Sequence, residues 1–491
     1  MTETLEVKSV QYEAVIGLEV HVQLSTNSKA FCTDSAKFGN QPNTNISPVS
    51  LGLPGALPFT NREMIRSAVK LGLAIDSEIV KYNYFDRKNY FYADLPKGYQ
   101  ITQDHKPICK GGKLKVYLAN GETKQILLNR IHMEEDAGKS IHDMDSKYSY
   151  IDLNRAGVPL LEVVSEPVIT SGEEAAAYLS ELRKLVRYLE ICDGNMEEGS
   201  MRCDANISIR PKGSTVLGKR CEVKNLNSIR NVQRAIEHEI ERQIGLIEKG
   251  EVIEQNTLNF DANTGATTPL RSKEMANDYR YFPEPDLLPV SLSDEFIAEI
   301  KAQMPELPEQ LIQRFTNEFA LPNYDAKVIS AEKPMANYYL EITQHTKNYK
   351  AASNWTMGTL KSFVNEKGTN FDQFPVPAAS IAHIINLIDE GKLNNTQAKD
   401  TLFVALTEQP DSDVLALADQ LHLILTDSHH SEAEDFIDQV LAKYPDKVKE
   451  YHNGKKGVLG LFMGELMKVS KGKIDPKNAN KLLMEKLELL K

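Results

Sequence analysis

An unbroken alternation of polar and apolar residues over RCDANISIR, residues 202–210, constrains this chain more than any other feature. Side chains two apart on a strand share a face. Arg202, Asp204, Asn206, Ser208 and Arg210 therefore point one way, and Cys203, Ala205, Ile207 and Ile209 point into a core. A merely solvated face would favour Lys, Thr, Glu and Gln. This one sets a carboxylate and an amide beside two guanidinium groups, a mixture suited to a phosphate and its metal.

Three further segments repeat the pattern. GLEVHVQL (17–24) places Glu19, His21 and Gln23 opposite Leu18, Val20, Val22 and Leu24. In ILLNRIHMEEDAGKS (126–140) the same period aligns Arg130, His132, Glu134 and Asp136 and turns Glu135 the other way, so two adjacent acids serve two compartments. PLLEVVSEP (159–167) embeds Glu162 in an apolar run, where a carboxylate is costly unless a cation or donors satisfy it. Taken singly, each acid is accounted for by a structural salt bridge. Together, Glu19, His21, Glu134, Glu162 and Asp204 predict one metal-containing pocket.

A chain of 491 residues has room for roughly three domains. Up to about residue 290 short alternating strands predominate, with helices expected near 61–74, 172–190 and 228–249, an α+β layout. Beyond the Pro-rich FPEPDLLPV (282–290) the period becomes helical: Ile381, Ile384, Ile385 and Ile388 form one stripe, stopped by Gly391 before a new start at Asn395 and Thr396. NEKGTNFDQFPVP (365–377) reads as a loop or linker between two helical units. No leader and no membrane-length apolar run is found, so a soluble, cytoplasmic protein is expected. The five cysteines are scattered without a C-x-x-C pair, which argues against a zinc knuckle or a disulfide frame.

The net charge of −12 argues against a nucleic-acid partner only if it is spread evenly. It is not: residues 447–491 hold eleven lysines against five acids, and a polyanion could bind there. YNYFDRKNYFYADLPKGYQ (82–100) mixes seven aromatics with Arg87, Lys88 and Lys97, a composition that suits stacking on exposed nucleotides or a tyrosine-rich core edge. RSKEMANDYRYFPEPD (271–286) resembles a phosphate-facing loop. DAGKS (136–140) ends like a phosphate-binding loop, but Met133 stands where its first glycine is needed. Neither a G-x-S-x-G elbow nor an H-E-x-x-H pair is found. Phosphoryl chemistry on a carboxylate-and-metal platform remains.

GLEVHVQL, LGLPGALP, DRKNYFY, HMEEDAGKS, DLNRAGVPLLEVVSEP, MEEGSMRCDANISIR, EVKNLNSIRNVQRAIEHEI and RSKEMANDYRYFPEPD together resemble the B-subunit family of the glutamyl/aspartyl-tRNA amidotransferases. The resemblance implies a mixed or antiparallel-sheet cradle over 1–292, an all-α helical domain over 293–370 and an all-α, tRNA-binding tail over 371–491. It implies that glutamate mischarged on the glutamine tRNA, or aspartate on the asparagine tRNA, is activated by ATP with Mg²⁺ and then amidated by ammonia. The five candidates above match the family's metal site, with Glu19, His21, Glu134, Asp204 and Lys224 as the catalytic set. Arg202, Lys224, Asn225, Arg271 and Lys273 would face the phosphates, and Lys88, Lys97 and Glu135 the ammonia path.

Two departures stand out. Some members carry cysteine pairs near Cys32 and residues 47–50 that bind zinc; Ser47 and Ser50 stand here, so no zinc is expected. Leu258 occupies a position where many members have arginine, which weakens a substrate contact there. The chain lacks an amidase Ser-cis-Ser-Lys signature and a recognisable glutaminase cysteine. It is therefore expected to need the amidase subunit (A) and the small subunit (C) in a heterotrimer, with misacylated tRNA as partner and no membrane or DNA. Deleting residues after about 410 should weaken tRNA binding more than ATP binding. A different metal-dependent RNA-modifying phosphotransferase or ligase, or a non-catalytic tRNA-holding subunit, would share parts of this pattern.

Overall fold

The computed structural model describes residues 11–142, 144–270, 278–425, 428–470 and 476–490. Arg271 and Lys273 lie outside the described residues. The chain forms two compact units, one ending at Leu307 and one beginning at Pro308.

The first unit is built on a ten-stranded mixed sheet. The elements that position the site are β1 (Tyr12–Gln23), β2 (Asp86–Asn89), β3 (Tyr99–Thr102), β4 (Thr123–Glu135), β5 (Pro159–Ser165), β6 (Met201–Pro211), β7 (Cys221–Leu226) and β8 (Thr257–Phe260). In the main sheet the order is β8-β7-β6-β1-β5-β4, and every neighbouring pair of these is antiparallel except β7 with β8. β1 lies at the centre because both of its edges are paired, with β6 from Tyr12↔Pro211 to Val22↔Met201 and with β5 from Glu19↔Val164 to Gln23↔Leu160.

The alternation expected from the sequence holds. Leu18, Val20, Val22, Cys203, Ala205, Ile207 and Ile209 are buried in one core. Helices α1 (Arg62–Ala74), α2 (Gly172–Tyr188) and α3 (Ile229–Glu248) begin at the side-chain caps Asn61, Ser171 and Ser228. Tyr178, Leu179 and Leu182 of α2, and Val232, Ala235 and Ile236 of α3, pack into that same core. Each fully buried Leu, Val or Ile contributes about 1.5–3 kcal/mol relative to exposure. With the dry face so committed, the other face of β1 and its neighbours is left for polar groups.

β2 pairs with Phe282–Pro283 on one edge and with β3 on the other, in a small separate sheet. Arg87 makes a two-pronged ion pair with Glu284, at 2.7 and 2.8 Å, that fastens the segment around 282–286 to β2. The first unit runs past the expected limit of 292 because α4 (Asp294–Ala302) packs on α1, where Arg66 reaches Glu299 at 3.0 Å and Gln303 at 2.6 Å.

The second unit is helical. Helix Ala378–Asp389 buries Ile381, Ile384 and Ile385, leaves Ile388 half-buried, and is followed by Gly391 at φ +72° and a restart capped by Asn394. The expected boundary between 370 and 371 falls inside this unit. Phe371 and Val376 are buried, and the Tyr338 hydroxyl donates to the Val376 carbonyl at 2.7 Å, so the segment's packed aromatic and aliphatic side chains outweigh its Gly and Asn content. Helices of the tail gather a core of their own from Ile437, Val440, Phe462, Leu466, Leu483 and Leu487. Among the described residues no helix is long and apolar enough to cross a membrane.

Candidate functional site

Strand register brings the predicted ligands together. Glu19 stands opposite Asp204, His21 opposite both Arg202 and Glu162, and Glu162 opposite His132. The five predicted liners of one pocket, joined by Glu222, fall into two trios that could each hold a metal ion, His21/Glu134/Glu162 and Glu19/Asp204/Glu222, each with ligand atoms within 4.8 Å of one another. His21 Nε2 lies 3.3 Å from Glu134 and 3.4 Å from Glu162, and His132 Nε2 lies 3.1 Å from Glu162.

These carboxylates and imidazoles hold one another's charge. Burial alone would favour neutral imidazoles, but Glu134 and Glu162 outweigh it, raising His21 well above its ordinary pKa and His132 to about 9. Burial would likewise raise the acids; the two histidines instead bring Glu134 down to about 2 and Glu162 well below the carboxylate range. Glu19 goes the other way, raised by burial and then by Glu162, Glu222 and Asp204. A site that concentrates negative charge around Glu19 favours a cation there.

One irregularity in the sheet supplies the cationic side. Between Cys203↔Leu226 and Ala205↔Val223 the register of β6 and β7 slips, giving β7 one extra residue beside Asp204, and Asn225 takes φ +63°. Such a bulge re-aims side chains. Lys224 Nζ reaches Asp204 at 2.6 Å and Glu222 at 2.8 Å, and these acids keep it protonated against the cost of burial. Arg202 pairs with Asp136 at 2.9 Å. Arg202, Lys224, Asn225, Lys88, His21, Glu134 and Asp204 all line one open cavity of about 610 Å³.

Glu135 faces elsewhere, as the alternation requires. Its carboxylate forms an ion pair with Lys97 and accepts the Ile101 amide at 2.9 Å. Both residues line a second cavity of about 140 Å³, walled by Phe31, Cys32, Ser50, Gly52 and Leu53. Lys88 is not in this cavity; it stands in the large one, with its ammonium 4.9 Å from the Tyr279 ring centre. The aromatic stretch thus serves both compartments. Beside Cys32, whose thiol burial pushes up to about 11, the Ser50 hydroxyl donates to Asp34 at 2.6 Å. Leu258 is buried on β8, a packing residue rather than a lining one.

Glu222 and His132 complete the arrangement without having been singled out as ligands. The alternation of CEVKNL does put Glu222 and Lys224 on one face, and that signal could have found Glu222. His132 already shared a face with Glu134; only the cross-strand register, Glu162↔His132, shows what it touches.

Residues 14–298 match the family described as the GatB/GatE catalytic domain, and residues 337–487 match the GatB domain. The B-subunit of the aspartyl/glutamyl-tRNA(Asn/Gln) amidotransferase of Thermodesulfovibrio yellowstonii is 47% identical over 479 residues, 98% of this chain and 100% of the relative. The proteins of the same description from Syntrophotalea carbinolica and Trichlorobacter lovleyi are 48% and 49% identical, each over 97% of this chain and 99% and 100% of their own lengths.

Proposed function

The chain belongs to the B-subunit family of the aspartyl/glutamyl-tRNA(Asn/Gln) amidotransferases, and on that premise we propose how its residues carry the reaction. It is a subunit of a tRNA-dependent amidotransferase, a ligase of translation. Its task is to turn the side-chain carboxylate of a misacylated aminoacyl-tRNA into an amide.

A carboxylate is a poor electrophile, so it needs a better leaving group before ammonia can attack. One side-chain oxygen attacks the terminal phosphorus of ATP and ADP leaves; ammonia then attacks the acyl carbon, and phosphate and a proton depart. The large cavity suits this chemistry. Lys224, held protonated by Asp204 and Glu222, and Arg202, oriented by Asp136, supply fixed positive charge to phosphoryl oxygens. Asn225 adds an amide at the same wall, and Arg271 and Lys273 belong to the same proposal.

The donor set fits a hard divalent cation, being mainly carboxylate oxygen. Mg²⁺ held by His21, Glu134 and Glu162, or by Glu19, Asp204 and Glu222, would neutralise charge on the transferring group. The observation that carries the reading is that members of both trios, His21 and Glu134 of one and Asp204 of the other, line a single cavity together with Lys224 and Arg202.

Ammonia enters this reading from the other side of Glu134. A partner amidase supplies it, the small third subunit completes the complex, and Lys97 and Glu135 receive it in the small cavity before it reaches Lys88 in the large one. An acid and a base in a conduit can hydrogen-bond ammonia without keeping it as ammonium. The lysine-rich tail grips the tRNA body.

The test combines the purified chain, its amidase and small partners, ATP, Mg²⁺, glutamine and glutamyl-tRNA for glutamine, with aspartyl-tRNA for asparagine in parallel. Amidated aminoacyl-tRNA is measured by mass. ATP-dependent product is expected, and Asp204→Asn should lower its rate by about 100-fold or more. Normal turnover in that variant would remove the acidic platform from the mechanism.

A further inference from the structure

Behind the small cavity lies a lysine that no step above uses. Lys29 is fully buried, and its ammonium donates to the backbone carbonyls of Asn45 at 2.6 Å and Leu153 at 3.3 Å. The two segments bearing these carbonyls dock on each other. The Asn45 amide donates to Asn154 Oδ1 at 2.8 Å, the Asn43 amide to Asp152 Oδ1 at 3.1 Å, and Asn154 Nδ2 to the Gln41 carbonyl at 2.7 Å. Burying an ammonium costs several kcal/mol unless its surroundings compensate. A neutral side chain of the same length would fill the space at lower cost, so the position is one that uses the cation's donors.

What those donors hold is the cavity wall. After Asn45 the chain continues through Val49, Ser50, Gly52 and Leu53, which line the cavity with Lys97 and Glu135. Gly52, at φ +66°, lies so close to Lys97 that a β-carbon there would come within 2.6 Å of Lys97 Cγ. Gly157 packs close to both the stem of Lys29 and the acid of the Lys97–Glu135 ion pair: a β-carbon there would lie 3.4 Å from Lys29 Cδ and 3.6 Å from Glu135 Oε2. The wall has a second tie through Asp34, whose carboxylate accepts the Ser50 hydroxyl at 2.6 Å and whose carbonyl accepts the Lys29 amide at 2.9 Å.

We propose that Lys29 is a positioning residue for ammonia delivery: its buried ammonium clamps the 45–58 loop onto residues 153–154 and so holds Lys97 against Glu135. The inference rests on the reading of the Lys97–Glu135 cavity as the route of ammonia. A slack wall lets ammonia escape before it reaches the activated acyl group, while ammonia supplied from solution at high concentration bypasses the wall.

The experiment uses the complete complex with glutamyl-tRNA for glutamine, ATP and Mg²⁺, and compares glutamine with ammonium chloride as nitrogen donor. Lys29→Met keeps the stem and deletes the ammonium; Asn154→Ala loosens the same docking without touching the buried charge. Glutamine-driven amidation is expected to fall about ten-fold in Lys29→Met and about three-fold in Asn154→Ala, with ammonium-driven rates within about two-fold of wild type. Glutamine should be hydrolysed in excess of amide formed. Parallel loss of both rates in Asn154→Ala, or no loss of the glutamine-driven rate, overturns the clamp, and if Lys29→Met does not fold Asn154→Ala decides alone. Glu135→Gln separates the two levels. If it keeps the full glutamine-driven rate, the route is wrong and the clamp falls with it. If it loses that rate while the clamp variants do not, the route stands and the clamp alone is wrong.

Discussion

Lys224 carries two demands that conflict unless its neighbours are fixed. On the proposed reaction it must stay charged while partly buried, and it must remain available to a phosphoryl oxygen. Asp204 and Glu222 meet the first demand, and the bulge at Asn225 meets the second by turning β7 toward the cavity. Lys224→Met should therefore lower ATP-dependent amidation by about 100-fold while leaving the affinity for aminoacyl-tRNA within about two-fold, because the lost charge acts on the transferring group. Steady-state rates alongside tRNA binding by filter retention check this; a parallel loss of binding would make Lys224 a substrate anchor instead. At this scale the sequence is informative wherever a side chain's role follows from its face. Alternation alone separates Glu134 from Glu135, and the structure gives them different cavities. It cannot sort the five candidates, with Glu222, into two trios, because that depends on which strand lies beside which. The slip of one residue beside Asp204 is likewise a property of two strands, invisible in either.

Elements are legible where burial repeats with a clean period. Helices expected near 61–74, 172–190 and 228–249 are observed at Arg62–Ala74, Gly172–Tyr188 and Ile229–Glu248, each opened by the capping residue that precedes its apolar stripe. The 365–377 segment is largely the loop its Gly, Asn and Pro suggest, joining helices Lys361–Lys367 and Ala378–Asp389, but it separates no units, because composition does not register the few large side chains that pack. A similar cost of burial appears in the helical unit at Asp325, which is buried and accepts Lys350 at 2.5 Å and Ser353 at 2.8 Å. Burial would raise its pKa, but those donors hold it below its ordinary value. A carboxyl whose folded pKa is depressed contributes stability above its unfolded value, near 3.8, and loses it as pH falls toward the folded value. Wild type should thus lose helical-unit stability below about pH 4, whereas Asp325→Asn should be less stable by about 1–3 kcal/mol at pH 7 and flatter on the acid side. Denaturant unfolding at pH 7 and near pH 3.5 measures both; an unchanged acid slope in the variant would assign the acid sensitivity elsewhere.

For the whole molecule the question is how a chain of net charge −12 takes a polyanion as substrate. Segregation answers it: the acidic trios belong to the first unit, where Glu134 and Asp204 line the cavity, and the lysine surplus belongs to the last helices. Several of those lysines already have acidic partners, Lys443 with Glu465, Lys447 and Lys455 with Glu450, and Lys486 with Asp438. These exposed pairs contribute little to stability, so phosphate can compete for the same lysines at low cost. The structure also moves the cut that tests this. Helix Val414–Gln420 buries Val414, Leu417 and Ala418, and the Leu425 amide bonds to the Lys392 carbonyl at 2.9 Å, so a break near 410 would strip part of the helical core. Ending the chain after Leu425 instead removes the tail and its separate core. In the assembled complex this truncation should weaken tRNA binding by roughly ten-fold or more, and lower the slope of log affinity against log salt by about three, since each phosphate contact contributes nearly one. ATP binding should stay within about two-fold, because the cavity proposed for the nucleotide draws on none of the removed residues. Titrations of tRNA and of ATP at three salt concentrations measure all three quantities. Equal losses of tRNA and ATP affinity would mean that the tail supports the fold of the catalytic unit, and an unchanged salt slope would place the tRNA-binding lysines elsewhere on the chain.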